Sequence, residues 1–170
     1  MAAERTPSQT VGPFFSFGLL DLERSELVSP ADDDAIRVEG RVLDGDGEPV
    51  PDAMVEIWQA DPAGRHLEGF GWARSGCDAG GRYSFVTVKP GRVPDGNGGL
   101  QAPHLSLLVF ARGLLKPVRT RIYFPDEESN PEDRVLTSLP EEERARLIAR
   151  PGLVFDVRLQ GPEQTPFFAV

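Results

Sequence analysis

The chain has 170 residues, which is enough for one well-packed domain and short for two. Its 18 glycines and 16 prolines suit a globular protein with many turns better than a helical bundle, so an all-β class is favoured. The formal net charge of -9 argues against a nucleic acid or a membrane surface as the partner, because both attract basic proteins.

The N-terminal residues have the composition of an arm rather than of a targeting signal. The first ten residues, MAAERTPSQT, contain no apolar core like that of a secretory signal, and no apolar run approaches the roughly 20 residues that span a bilayer. We therefore expect a cytoplasmic protein. Residues 6–18 combine turn formers with three closely spaced phenylalanines and show no helical or strand period. Because phenylalanine is unfavourable in water, this arm is expected to pack against something, another chain being one candidate.

Alternating apolar residues predict the first strands. Residues 36–42 and 53–60 alternate between apolar and polar side chains, as half-exposed strands do. Within the second segment Glu56 could be a catalytic carboxylate, but it has no second carboxylate nearby in sequence. A structural acid at the rim or in a hydrogen bond is the favoured interpretation. Residues 82–88 form a further strand, whose alternation places Tyr83 in the packed interior.

The stretch 102–113, APHLSLLVFARG, carries one of the two histidines and the most continuous apolar run. In an extended strand His104 and Ser106 point to the same face, which is the spacing of two ligands to one metal. Serine is a poor metal ligand, however, so a hydrogen-bonded buried histidine is the favoured interpretation of His104. The single cysteine, Cys77, has no companion for a disulfide or a CxxC metal site. Residues 116–124 are expected to be the hairpin partner of this strand.

The C-terminal part of the chain predicts one helix and one more strand. Ser138 and Glu141 have the spacing of a capping box, and an Arg-Pro-Gly sequence at 150–152 ends the segment. Residues 155–159 alternate again and predict the last strand.

The number and spacing of these strands define the expected fold. Six or seven short strands separated by turns favour a β-sandwich. We expect a single domain over residues 1–170, with an N-terminal arm and connector at 1–35 and the sandwich at 36–170.

Several sequence blocks resemble the intradiol ring-cleaving dioxygenases. These blocks occur in the order GRVLDGDGEPVPDAMVEIWQADPAGRH, DAGGRYSFVTVKPG, APHLSLLVFARG and RTRIYF, and the resemblance covers roughly residues 6–168. In that family a non-haem Fe(III) is held by two tyrosinates and two histidines, the histidines lying two residues apart on a strand. The resemblance implies an all-β sandwich of the intradiol dioxygenase type.

The family's metal site does not carry over intact. The first histidine falls on His104, but the second falls on Ser106, and Val93 stands where the family has a tyrosine after its KPG motif. The arginine that assists catalysis is replaced by Gln101, and the segment with the other tyrosine is missing after His66. Valine cannot bind a metal and a neutral hydroxyl binds weakly. The resemblance therefore implies that this chain alone holds no metal and no catalytic residue.

The resemblance also implies a division of labour between two chains. A homologous beta subunit would hold the Fe(III) in a hetero-oligomer, and this chain would be the alpha subunit. Thr10, Gly12, Pro13 and Arg121 would border the partner's substrate channel, where Arg suits a carboxylate. The implied reaction is O2-dependent intradiol cleavage of the small aromatic 3,4-dihydroxybenzoate to 3-carboxy-cis,cis-muconate. For Arg121 the plain alternative is a surface residue paired with a cross-strand acid.

Two other functions are compatible with the residues. The chain could be a non-catalytic β-sandwich that binds a ligand or acts as an interaction module. A homo-oligomeric dioxygenase with ligands elsewhere is disfavoured, because Tyr83 and Tyr123 are the only tyrosines.

Overall fold

Two sheets pack face to face and form the body of the molecule. The computed structural model describes residue 10, residue 12 and residues 15–169, with the side chains of residues 16 and 17 left aside. In chain order the strands are β1 (Ala35–Leu43), β2 (Met54–Trp58), β3 (Trp72–Gly76), β4 (Arg82–Val88), β5 (Val93–Pro94), β6 (Leu100–Gln101), β7 (His104–Phe110), β8 (Val118–Tyr123) and β9 (Val157–Arg158). One sheet has the order β4-β1-β9 and the other β3-β2-β7-β8, while β5 and β6 form a small hairpin. The predicted all-β sandwich is confirmed.

The core lies between the two sheets because each strand turns its apolar residues inward. In β7, Leu105, Leu107 and Val109 are buried, and the residues between them are only partly so. In the facing sheet Val38 of β1 lies opposite Phe85 of β4, and both are fully buried. Inner faces that interdigitate in this way are the usual core of a sandwich.

Gly40 of β1 packs directly against the backbone of the segment that precedes β9. A Cβ at this position would lie 1.7 Å from the carbonyl oxygen of Phe155, so no larger residue fits without moving the backbone. The hydroxyl of Tyr83 donates a hydrogen bond to the same oxygen at 2.6 Å. Burial raises the pKa of Tyr83, so its phenol stays protonated. The expected packing role of Tyr83 is confirmed.

The helices are short and differ from the predicted one. They are α1 (Phe15–Leu19), α2 (Arg134–Thr137) and α3 (Glu141–Ala145), with 3-10 turns at Leu20–Leu22 and Asn130–Glu132. The predicted capping box is wrong: Pro140 precedes α3 without a side-chain cap, and Ser138 instead ends α2. The cap that does form is on α2, where the Asp133 carboxylate accepts from two backbone N–H groups. Within the described residues, no helix has the length and apolar character needed to cross a bilayer.

Three other expectations need correction. The arm was expected to lack regular structure, yet α1 forms inside it. Strand β3 was not predicted, because its sequence WARSG lacks the β-branched residues that favour strands. The last strand was predicted at 155–159, but β9 contains only two residues. Phe155 lies before it and still donates its backbone N–H to the carbonyl oxygen of Glu39 in β1.

A second, smaller core lies on the outer face of the four-stranded sheet. It contains Ala102, Tyr123, Leu136 and Leu147, all buried. The chain after β8 therefore folds back over the end of the sheet where β7 begins. This cover creates a recess on the outer face beside the first residues of β7.

Candidate functional site

The outer face of the four-stranded sheet carries polar side chains near the start of β7. In the register of the sheet, Trp58 of β2 lies opposite Ser106, and Ser106 lies opposite Arg121 of β8. His104 lies two residues earlier on the same face of β7. Residues directly opposite one another in neighbouring strands point to the same side, so the register brings these side chains together.

These side chains form part of the wall of a pocket of about 230 Å³. All four positions that the resemblance assigns to a lost iron centre line it: Val93, Gln101, His104 and Ser106. The remaining side chains of its wall include Trp58, His66, Arg119 and Arg121. Residues that are up to 63 positions apart in sequence therefore meet in one recess.

His104 is a hydrogen-bonded, largely buried histidine. Its Nδ1 lies 2.8 Å from the carbonyl oxygen of Ala102, which can only accept, so Nδ1 carries the proton. Burial, and next the nearby positive charge of Arg121, lower the pKa of His104 to about 4. The ring is therefore neutral at pH 7, and its Nε2 is an acceptor. The structure agrees with the favoured interpretation of His104.

A buried carboxylate organises the residues behind the pocket. Asp133 is fully buried, and its Oδ2 accepts from the backbone N–H of Ala102 at 2.8 Å. Its Oδ1 accepts from the hydroxyl of Tyr123 at 3.2 Å. That hydroxyl in turn accepts from Nη1 of Arg121 at 3.1 Å. Burial raises the pKa of Tyr123, so the phenol keeps its proton, and the chain of hydrogen bonds fixes the guanidinium of Arg121.

Sequence reasoning did not find Asp133 and Tyr123 as parts of this site. Tyr123 could have been found, because it lies two residues after Arg121 on the same face of β8. Asp133 has a weaker signal, as an aspartate just before a short helix is a typical N-cap. Nothing in the sequence shows that the same carboxylate also binds Ala102, which lies 31 residues earlier.

The pocket has a positive local charge in an acidic protein. Arg119 and Arg121 are two residues apart on β8, and both are partly buried. Arg121 lies opposite Ser106, so the alternative of a cross-strand acid for this residue is wrong. Its guanidinium lies 5.9 Å from the centre of the Phe168 ring instead. Within the described residues, neither arginine forms a salt bridge with a carboxylate.

The side chains in the pocket do not suit a ferric ion. At the four positions that the resemblance assigns to a lost iron centre, the groups are an alkyl group, an amide, a neutral imidazole and a hydroxyl, whereas Fe(III) prefers anionic oxygen donors. The guanidinium groups of Arg119 and Arg121 would also repel a cation. Tyr123 lies nearby, but its hydroxyl is engaged with Asp133 and Arg121. In residues 10, 12 and 15–169, no three His, Cys, Asp or Glu residues gather as a metal site would require.

The expected channel residues lie in two places. The Oγ1 of Thr10 accepts from the backbone N–H of Gly113, just beyond the end of β7, and Gly12 is exposed. Arg121 lies beside Ser106, near the start of that strand. A seven-residue strand such as β7 is about 20 Å long, so the two groups are well separated within this chain. Pro13 falls outside the described residues.

Glu56 is a structural acid, as favoured. Its Oε1 accepts from Nε of Arg74 at 2.9 Å, and Nη1 of Arg74 donates to the backbone oxygen of Leu19 at 2.8 Å. The pair is almost fully buried. It ties α1 to the edge formed by β2 and β3.

Comparisons with known proteins give a consistent result. A family model described as dioxygenase matches residues 11–167. The chain is 40% identical to the protocatechuate 3,4-dioxygenase alpha chain of Burkholderia cepacia, over 98% of each chain. It is 35% identical to the beta chain of the same enzyme from that organism, over 77% of this chain and 66% of that one. Among solved structures, the dioxygenase domain of a dioxygenase and carbohydrate-binding protein fusion from Streptomyces sp. SirexAA-E matches with a TM-score of 0.66 and 25% identity, covering 82% of this chain and 88% of that one.

Proposed function

The chain belongs to the intradiol dioxygenase family, and on that premise we propose that it is the alpha subunit of a protocatechuate 3,4-dioxygenase. The observation that carries the proposal is the combination of full-length similarity to an alpha chain with a pocket that lacks ferric ligands. A subunit of this kind takes part in an oxidoreductase without holding the metal itself. Similarity to a beta chain as well supports a hetero-oligomer of two related chains.

We propose that the partner is a beta subunit that holds the Fe(III). The assembled enzyme would cleave 3,4-dihydroxybenzoate between its two hydroxylated carbons with O2, giving 3-carboxy-cis,cis-muconate. The present chain would form part of the wall of the partner's substrate channel. Its free cysteine, Cys77, fits a reducing compartment, and we assign the complex to the cytoplasm.

Thr10, Gly12, Pro13 and Arg121 are the residues that we assign to that channel. Thr10 and Gly12 are exposed on the surface of this chain. Arg121 has one nitrogen, Nη1, engaged with Tyr123, so other N–H groups of the guanidinium remain for a carboxylate. Because the chain carries a net charge of -9, it repels an anionic substrate at long range, and a local arginine offsets that repulsion at the channel.

The test is to purify the chain alone and together with its partner, and to measure iron and ring cleavage in both preparations. We expect no stoichiometric iron and no cleavage of 3,4-dihydroxybenzoate from the chain alone, and both from the complex. Tight binding of one iron per isolated chain would contradict the proposal. Within the complex, Arg121→Gln should raise KM at least tenfold with a smaller change in kcat, because it removes a contact to the substrate carboxylate. Arg82→Gln, an exposed arginine on β4, is the matched control.

A further inference from the structure

The tip of the β5–β6 hairpin carries an asparagine that is open to chemical modification. Residues 95–99 have the sequence DGNGG, and Asn97 and Gly98 at its centre are both exposed. Glycine has no side chain to shield its backbone nitrogen, so that nitrogen can reach the side-chain amide of a preceding asparagine. Asparagine is among the thermolabile residues of proteins. An asparagine followed by glycine occurs at this one place in the sequence.

The hydrogen bonds of the tip leave the nitrogen of Gly98 free. Oδ1 of Asp95 accepts from the backbone N–H of Asn97 at 2.7 Å and from that of Gly99 at 2.8 Å. These two bonds lower the pKa of Asp95, so its carboxylate is ionised at pH 7. The N–H of Gly98, which lies between them, has no acceptor among residues 10, 12 and 15–169. The tip is therefore fixed on both sides of a nitrogen that is itself unengaged.

The groups that must move for a reaction at Asn97 are weakly restrained. A Cβ added at Gly96 or Gly98 would meet no atom of the described residues within 4 Å beyond its chain neighbours, so the tip projects into open space. Both glycines have positive φ, 76° and 87°, and glycine leaves this region at little cost. Nδ2 of Asn97 donates to the backbone oxygen of Asp95 at 3.3 Å, which is longer than a usual hydrogen bond.

The other asparagine of the chain, Asn130, lacks these features. It is buried, and its Nδ2 donates to the backbone oxygen of Phe124 at 2.8 Å. It precedes Pro131, whose nitrogen carries no proton and cannot close a ring on the side chain. Of the two asparagines, Asn97 alone combines exposure, a weakly held amide and a free nitrogen in the next residue.

We propose that Asn97 is a deamidation site whose reaction rearranges the tip of the β5–β6 hairpin. The nitrogen of Gly98 bonds to Cγ of Asn97, the bond from Cγ to Nδ2 breaks, and the proton of Gly98 leaves with Nδ2 as ammonia. Water then opens the resulting cyclic imide. Opening at Cγ gives aspartate, whereas opening at the backbone carbonyl gives isoaspartate, in which the main chain runs through the former side chain. Neither step is an oxidation or a reduction, and neither depends on the proposed subunit role.

Isoaspartate changes the hairpin because it adds a carbon to the backbone between residues 97 and 98. The N–H groups of residues 97 and 99 then no longer both reach Oδ1 of Asp95. Both products also place a new carboxylate near that of Asp95, whose Oδ2 lies 3.4 Å from Nε of Arg134. The modified hairpin is therefore more negative and less firmly closed.

The experiment is to incubate the full chain at pH 7 and pH 9, and to follow the release of ammonia and the mass of the peptide that contains residue 97. We expect deamidation of that peptide and not of the peptide with Asn130, at a rate that rises with pH because the nitrogen of Gly98 attacks after losing its proton. Asn97→Gln should abolish the release, since the longer side chain must close a larger ring. A rate more than about tenfold below that of the chain unfolded in urea would overturn the proposal, because it would mean that the hairpin protects Asn97.

The effect on the hairpin is measured on the isoaspartate form, which anion exchange separates through its additional negative charge. The backbone N–H of Gly99 should exchange with solvent deuterium about tenfold faster than in the unmodified chain, because its bond to a charged acceptor is lost. Asn97→Gln keeps the backbone of the tip and is the matched control, with exchange at the unmodified rate. Equal exchange in the isoaspartate form would overturn the rearrangement.

Discussion

Asp133→Asn is the substitution that tests most directly how the pocket is held in place. The carboxylate accepts four hydrogen bonds: Oδ1 from the backbone N–H groups of Val135 and Leu136 and from Tyr123, and Oδ2 from Ala102. An asparagine can keep the three bonds at one oxygen, but its NH2 group then faces the N–H of Ala102. One bond to a charged acceptor is lost, and two donors meet in a buried site.

The expected loss in the free energy of unfolding is about 2–3 kcal/mol, since a buried donor without a partner costs about 1–3 kcal/mol and bonds to charged groups are the stronger ones. For a chain of this length that corresponds to a fall in Tm of about 4–12 °C. Urea unfolding followed by circular dichroism measures the loss. Asp126→Asn is the matched control, because the Asp126 side chain is 72% exposed and its one salt bridge among the described residues is with Lys89, so the loss should stay below about 1 kcal/mol. Equal unfolding midpoints for Asp133→Asn and the unmodified chain would refute this account of the pocket.

Three further predictions address neighbouring features. Tyr123→Phe removes the hydroxyl that holds Arg121. It should lower the free energy of unfolding by about 1 kcal/mol and raise KM of the complex several-fold. An unchanged KM would show that the Tyr123 hydroxyl does not position Arg121 for the substrate. Gly40→Ala places a Cβ into a backbone carbonyl and should cost at least about 3 kcal/mol or prevent folding. At Gly18 no atom of the described residues outside its own helix lies within 4 Å of an added Cβ, so Gly18→Ala should be tolerated in the same unfolding assay. Because the pKa of His104 is lowered to about 4, between about pH 6.5 and 4 the unfolded chain binds a proton that the folded chain does not. The free energy of unfolding should therefore fall as the pH falls through this range, by up to about 3 kcal/mol. Urea midpoints at pH 7 and 5 measure this, and the dependence should be weaker in His104→Gln; an equal slope in both chains would contradict it.

The sequence was most informative where side-chain alternation is strong. The bounds of β4 match the predicted segment 82–88, in which Tyr83 and Phe85 alternate with polar residues before the strand becomes buried on both faces. Strand β3 could not be predicted in this way: it is five residues long and pairs through its backbone with β2, a long-range contact that leaves no local pattern. The capping-box prediction was wrong because Ser138 and Glu141 have the right spacing but lie across a break between two helices.

The candidate site was predictable only in part for a similar reason. The resemblance named Val93, Gln101, His104 and Ser106, and the fold brings all four to one pocket. Their supporting groups were not predicted, because a buried hydrogen-bond network between distant segments depends on tertiary structure rather than on spacing. Asp133 is the clearest example, since it caps a helix and binds the strand region at once.

The hydrogen bonds from Asp133 have a consequence for how the proposed enzyme is assembled in the cell. They join the segment before β7, the end of β8 and the start of α2 using groups that belong to this chain. The recess therefore takes its shape as the polypeptide folds, with no inorganic centre needed to draw the segments together. In the proposed complex, maturation of this chain and loading of metal into its partner are separate events. Under iron shortage the alpha subunit would then still fold correctly, while the beta subunit would lack its metal and the complex would be inactive.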